Sequence, residues 1–213
     1  MLKLLVNAPK GGIGKTTIAT NAALLLAKEG KKILACKLSG SSRMDEHIQA
    51  KQLEYPGLYD SITIWEPDND KLPTNFQGQG NPDVVVVDSD DYWKILNDLV
   101  DKKNKGWRVI APIVPNEPEG MQVIPDELAT VFMQSQITGV SIKLKILPNK
   151  CGEKDTIEND ISLVKIRLQQ KSLLKALSSY YLPYAGMFYP PVFIDTSNLF
   201  RDQLRAALKE LGI

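Results

Sequence analysis

The sequence predicts an α/β fold of three layers, αβα, around a central sheet that is mainly parallel. Three observations carry this expectation. Short apolar strands alternate with helical segments along most of the chain. Those strands are continuously apolar rather than alternating, as in strands covered on both faces. And the first strand runs into a glycine-rich turn that opens directly on a helix, KGGIGKTT at residues 10–17, which is the context of a phosphate-binding loop, or P-loop.

Each element has its own warrant. Leu2 to Val6 is an apolar run of strand length. Lys15 to Lys28 has helical spacing, with Ile18, Ala22, Leu25 and Leu26 on one face and Gly30 just beyond its end. Ile33 to Cys36 is a second strand. Between Leu38 and Asp83 the pattern is least regular, with Gly40-Ser41-Ser42, Pro56-Gly57, Glu66-Pro67-Asp68 and Gly78-Gln79-Gly80. Leu58, Ile62, Ile64 and Trp65 make this stretch too apolar for a free linker, so we expect it to pack on the domain with one extra strand at Ile62 to Trp65. Val84 to Val87 is β-branched throughout. Tyr92 to Lys102 has helical character, with Asp90 or Asp91 as its cap. Val109 to Val114 is a strand whose Pro112 suits a strand end or an edge. Gly120 to Met133 is helical with a late start, because of Pro125. Ile142 to Leu147 is a strand, Ile157 to Leu177 largely helix, and Thr196 to Leu211 a final helix. The whole, 1–213, reads as one domain.

Composition excludes several classes. The 213 residues carry 26 Lys plus Arg against 25 Asp plus Glu, so global charge argues against a strongly basic nucleic-acid binder and leaves only a local basic face. No apolar run approaches membrane-spanning length. Two cysteines, Cys36 and Cys151, cannot build a disulfide framework or a four-cysteine metal site, and Cys36 reads as a small buried hydrophobe. The apolar start, MLKLLV, is too short for a secretory leader, so the expectation is a cytoplasmic protein.

The chemistry concentrates at residues 10–17. Gly11, Gly12 and Gly14 free the backbone to approach a ligand closely and to aim its amide hydrogens at anionic oxygens. The following helix adds the positive end of its dipole. Lys15 supplies a mobile charge for the β- and γ-phosphates, and the Thr16 hydroxyl is placed for Mg²⁺. Lys10, Gly11, Gly12, Ile13, Gly14, Lys15, Thr16 and Thr17 are therefore the candidate nucleotide-binding residues, with Lys10 and Lys15 the candidate catalytic pair.

A strict Walker A loop has Gly where this chain has Pro9, and a second lysine, Lys10, precedes the paired glycines. This K-G-G-x-G-K-T string resembles the deviant Walker A of the ParA/MinD ATPases, and VNAPKGGIGKTT is similar in particular to the small ParA proteins of plasmid and chromosome partition. The resemblance implies ATP and ADP as ligands with Mg²⁺, and a dimer that sandwiches ATP, in which Lys10 reaches the partner's phosphates. It implies that NPDVVVVDSDD, residues 81–91, is a Walker B strand whose Asp88 holds the metal with Thr16. In IKLKILPNKCG, residues 142–152, it makes Asn149 a contact for the adenine base, the alternative being an ordinary turn asparagine. Pro190-Pro191 either lines the base pocket or shapes a loop.

One family motif is missing. The D-x-D-P that follows the second strand aligns with Lys37 and Ser39, so the carboxylate that positions the attacking water is absent. Asp45 and Glu46 could replace it only if the loop folds back. Nucleotide binding and dimerisation are expected to survive, with weak intrinsic hydrolysis. A basic stretch with no acid, Ile161 to Leu177, places Arg167, Lys171 and Lys175 four apart, as on one helical face, a candidate for nonspecific DNA. The amphipathic final helix, with Leu199, Phe200, Leu204, Leu208 and Leu211 opposite Arg201, Arg205 and Lys209, is expected to pack on the core rather than bind a membrane. Nine residues precede Lys10 here, so no helix-turn-helix domain and no sequence-specific operator binding are expected. The resulting expectation is a partition ATPase working with a centromere-binding adaptor on the nucleoid. The alternatives are a MinD-like positioning ATPase for a membrane or another cargo, and a nucleotide switch weakened in catalysis.

Overall fold

The computed structural model describes residues 1–38, 40–67, 71–89, 95, 98–152, 156–186 and 190–213. The strands are β1 (Leu2–Asn7), β2 (Ile33–Lys37), β3 (Ile62–Trp65), β4 (Val84–Ser89), β5 (Trp107–Ile113) and β6 (Lys143–Pro148). The described helices are α1 (Lys15–Lys28), α2 (Met44–Glu54), α3 (Pro118–Thr138), α4 (Ile157–Gln170) and α5 (Asn198–Glu210). The expected helix at Tyr92 to Lys102 and its caps Asp90 and Asp91 lie largely outside the described residues; Lys102–Asn104 forms a 3-10 turn.

The sheet has the order β3-β2-β4-β1-β5-β6, and every neighbouring pair is parallel. Continuously apolar strands require cover on both faces, and the core divides accordingly. Leu4, Val6, Ala35, Val84 and Val86 pack with α1, α2 and α5. The alternate residues Leu5, Leu34, Cys36, Val85 and Val87 pack on the opposite face, where Ala111, Ile113 and Ile146 meet α3 and α4. The three-layer αβα architecture is thus present. Helix α1 departs from the one-face expectation: Ile18 to Ala27 are all buried, because the sheet, α2 and α5 surround it.

Three local features have physical causes. Pro112 is the next-to-last residue of β5, so it sits near a strand end as expected, though in an interior strand rather than an edge one. Ile113 gives its carbonyl to Asn149 N on the β6 side, so Pro112 faces β1, whose pairing with β5 has already ended at Val6 and Ile110. Its missing N–H therefore costs no ladder bond. Helix α3 begins at Pro118 and carries Pro125 inside it, rather than starting late. Pro125 cannot donate to the Met121 carbonyl one turn back, and Arg167 Nε donates to that oxygen instead, at 3.1 Å. Helix α4 ends at Gln170, with a separate 3-10 turn at Leu174–Ala176, so Ile157 to Leu177 is not one helix. The irregular stretch after β2 contains α2, which apolar spacing does not announce, and the expected strand β3, which pairs with β2.

The carboxyl ends of β1, β2, β4, β5 and β6 reach one rim of the sheet, where a parallel α/β sheet presents its ligand crevice.

Candidate functional site

The loop after β1 is fixed by contacts from distant residues. Gly12 and Gly14 adopt φ of +76° and +92°, the left-handed region that favours glycine. Gly14 is also the first cap of α1, and a Cβ there would stand 2.5 Å from Asn149 Nδ2. The Ile13 side chain is fully buried and anchors the loop in the core. Asn149 Nδ2 donates to the Ile13 carbonyl at 2.6 Å, and Lys150 Nζ donates to the Gly12 carbonyl at 2.5 Å. Holding these two carbonyls turns the amide hydrogens of Ile13 and Gly14, on the far side of the same peptide units, away from Asn149 and Lys150. Lys15 is 5% exposed, and its Nζ donates to the Lys10 carbonyl at 2.6 Å. Gly11, Gly12, Gly14, Lys15, Thr16, Thr17 and Ser41 surround a cavity of about 320 Å³.

Behind Thr16 lies Asp88, fully buried near the end of β4. Its Oδ2 accepts from Thr16 Oγ1 at 2.7 Å and from Ser42 Oγ at 2.6 Å. The two hydroxyls and the carboxylate are all hard oxygens, a donor set suited to Mg²⁺ and not to a soft metal. The residues present therefore fit the magnesium that a triphosphate brings with it, held by Thr16 and Asp88.

The second compartment lies across Gly14 and Thr17, which line both. Its cavity, about 230 Å³, is walled by Asn149, Lys150, Pro183, Tyr184, Ala185, Gly186, Pro191, Phe193 and Phe200. The wall is mostly apolar and partly aromatic, as a planar base requires. Pro191 is held there by Asn21, whose Nδ2 donates to the Pro191 and Thr17 carbonyls and whose Oδ1 accepts from Phe193 N and Ile194 N. Asn149 thus stands where a base contact is expected, and also clamps the loop.

No curated protein matched in a sequence comparison. The profile of the family described as the CobQ/CobB/MinD/ParA nucleotide binding domain matches residues 4–162. The chain belongs to this family. Solved structures agree at the level of the fold. MinD from Aquifex aeolicus is 14% identical and superposes with a TM-score of 0.66, covering 100% of this chain and 98% of that one. The ATP complex of a McdA variant from Cyanothece is 15% identical, with a TM-score of 0.66 and coverage of 100% and 97%. A plasmid partition protein from Borrelia burgdorferi is 12% identical, with a TM-score of 0.60 and coverage of 98% and 96%.

For a MinD/ParA-family chain the remaining expected residues fall unevenly. Lys10 Nζ sits 2.5 Å from Glu119 Oε2 at the start of α3, so in this conformation the lysine is held within its own chain, and that hydrogen bond raises its pKa. Lys37, at the end of β2, is in register with Asp88, so their side chains share a face. Its Nζ lies 3.3 Å from Asp45 Oδ2 and 3.9 Å from Glu66 Oε2. The loop does fold back: α2 starts at Met44 and returns Asp45 to the end of β2. Ser39 lies outside the described residues.

The three basic residues do not share one helical face. Arg167 is in α4, Lys171 caps it, and Lys175 lies in the separate 3-10 turn. Arg167 and Lys171 both pair with Asp126 of α3, at 3.3 and 2.7 Å. The final helix uses its apolar side as expected, with Phe200, Leu204, Leu208 and Leu211 buried and Leu199 exposed. Among the described residues no helix is long and apolar enough to cross a membrane. Sequence reasoning missed Ser42, Asn21 and Lys150. Asn21 had a signal, a polar residue inside the run IATNAALLLA; the other two had none.

Proposed function

We propose that this chain, acting as one domain, binds Mg-ATP, dimerises on it and hydrolyses it slowly, positioning or segregating DNA with a centromere-binding adaptor. One observation carries the nucleotide part. The Thr16–Asp88 pair, 2.7 Å apart, borders a glycine-walled cavity that continues into an apolar one of base size. Lys15 would move from the Lys10 carbonyl to the β- and γ-phosphates, and the amides of the loop would take the remaining oxygens. Bound Mg²⁺ would supply charge neutralisation at Thr16 and Asp88. Lys10, released from Glu119, would complete the pocket of a second copy.

Asn149 would meet the adenine edge. The DNA part is supported by family membership and by exposed lysines, with Lys175 the member of the basic group that shows no ion pair to Asp126. In this role the protein would be cytoplasmic and nucleoid-associated. A second reading, a nucleotide switch with little turnover, is favoured by Lys37, a cation where the family carries an acid. A membrane cargo has no observation in its favour here, because the apolar side of α5 is taken up by the core.

The test is ATP titration by calorimetry, followed by binding to nonspecific DNA. We expect ATP- and salt-dependent DNA binding by the intact protein and neither nucleotide nor DNA binding by Lys15→Ala. ATP binding without DNA binding or turnover would select the switch.

A further inference from the structure

Ser42 has no place in the loop motif, yet it is bonded into the metal side of the site. It is 4% exposed. Its Oγ donates to the same Asp88 oxygen that Thr16 uses, across 46 residues of sequence. The same Oγ accepts from Met44 N, at 3.2 Å, at the first residue of α2. Its neighbour Ser41 lines the phosphate cavity. A hydroxyl has one proton and two lone pairs. The proton of Ser42 is spent on Asp88 and one lone pair on Met44 N. One lone pair remains, and donation of the proton to a carboxylate makes the oxygen more electron-rich.

We propose that Ser42 is a positioning residue of the metal–nucleotide site, a third hard oxygen beside Thr16 and Asp88 that ties the cation's presence to the first turn of α2. The inference rests on the Mg-nucleotide reading above. With Mg²⁺ bound, Ser42 and Asp88 would both offer it hard oxygens, and Ser42, bonded to Met44 N, would tie residues 41–44 to the metal side of the site. Without a cation, Ser42 has only its two protein partners, and the start of α2 is held less firmly. Because Lys37 meets Asp45 one residue into that helix, the same linkage reaches the position where the family's acid is replaced.

The test uses the full chain and compares ATP affinity in Mg²⁺ with affinity in EDTA, by calorimetry. In the unaltered protein, affinity rises with Mg²⁺. Ser42→Ala should match it within about twofold in EDTA but lose about tenfold of the Mg²⁺-dependent gain, the effect of one hydrogen-bonding group removed from a charged site. Ser42→Thr should restore the gain. Hydrogen exchange supplies the second readout: Mg-ATP should slow the amides of Asp45 and Glu46 in the unaltered protein and leave them unchanged in Ser42→Ala.

A full Mg²⁺ gain in Ser42→Ala would overturn the proposal. So would an equal loss in both buffers, which would make Ser42 a turn residue only. Ser42→Cys, similar in size but with sulfur for oxygen, carries the same comparison where the alanine variant does not fold. An unaltered protein that binds no nucleotide in either buffer would overturn the parent reading, and this one with it; binding with an indifferent Ser42→Ala would overturn this one alone.

Discussion

Two turns converge on Asp88, and they are built in opposite ways. The turn after β1, residues 10–17, is made of backbone: glycines at positive φ, a buried Ile13 and a helix start. The turn after β2, residues 40–44, works through side chains: Ser42 on Asp88, with Asp45 and Lys37 closing the gap just beyond. A turn made of backbone needs particular residues at particular spacing, because only glycine tolerates those angles. A turn made of side-chain contacts needs only that the right atoms meet, and many sequences achieve that. The first is therefore specified residue by residue, and the second could be built from other side chains.

The largest expected effect breaks the first turn. Gly14→Ala puts a methyl 2.5 Å from Asn149 Nδ2, on a residue whose φ of +92° an L side chain rarely adopts. Strain and the displaced clamp together should cost on the order of a hundredfold in ATP affinity, read by calorimetry, with little change in the melting of the rest of the fold. The next is Asn149→Ala. It leaves the Ile13 carbonyl without its amide partner, a loss of about 1–3 kcal/mol for a buried acceptor. Affinity for ATP should fall about tenfold, by the same conversion. Inorganic triphosphate sharpens the result: a clamp role weakens both ligands alike, whereas a base contact weakens ATP alone.

The same contrast explains what was legible in the sequence. The strands were readable because a doubly covered parallel sheet imposes continuous apolar runs, and Val84 to Val87 could hardly be anything else. The loop was readable because its geometry excludes most residues. Helix α2 was not, because its exposed and buried residues mix: Met44, His47, Ile48 and Lys51 are buried, and two of these are polar. Nor was the early start of α3, since Pro125 is tolerated only because Arg167, more than forty residues later, takes the orphaned carbonyl. The ties of Arg167 to Met121 and Asp126 were not legible either, because they depend on what packs opposite its helix. Ser42 and Lys150 carry ordinary side chains whose partners lie 46 and 138 residues away, a relation no local pattern records.

Two smaller effects probe the second turn. Lys37→Ala removes the cation from a largely buried pair with Asp45 and leaves that carboxylate and Glu66 without it. A loss of about 1–2 kcal/mol is expected, or roughly a 2–8 °C fall in melting temperature for a chain of this size. Added Mg²⁺ should recover part of it, since the site has become more negative. An unchanged melting temperature would mean that solvent already screens the Asp45 carboxylate without help from Lys37.

The smallest is a pH effect, carried by the chain's single histidine, His47, on the same helix. Burial lowers its pKa and outweighs the opposing charge of Glu46; Arg43 lowers it further, and Asp45 opposes more weakly. A base whose folded pKa lies below its unfolded value, near 6.5, favours the neutral form in the native state. The stability it contributes is therefore present above pH ~6.5 and is lost as the pH falls through the lower, folded value. Denaturant unfolding from pH 7.5 down to 5 should show a shallow decline, and His47→Gln should flatten it. Carboxylates titrate in the lower part of that range in both proteins, so the difference between the two curves, not either alone, isolates the imidazole. If the difference vanishes, protonation of His47 does not load the start of α2, and the turn around Ser42 is steadier toward acid than its side-chain construction implies.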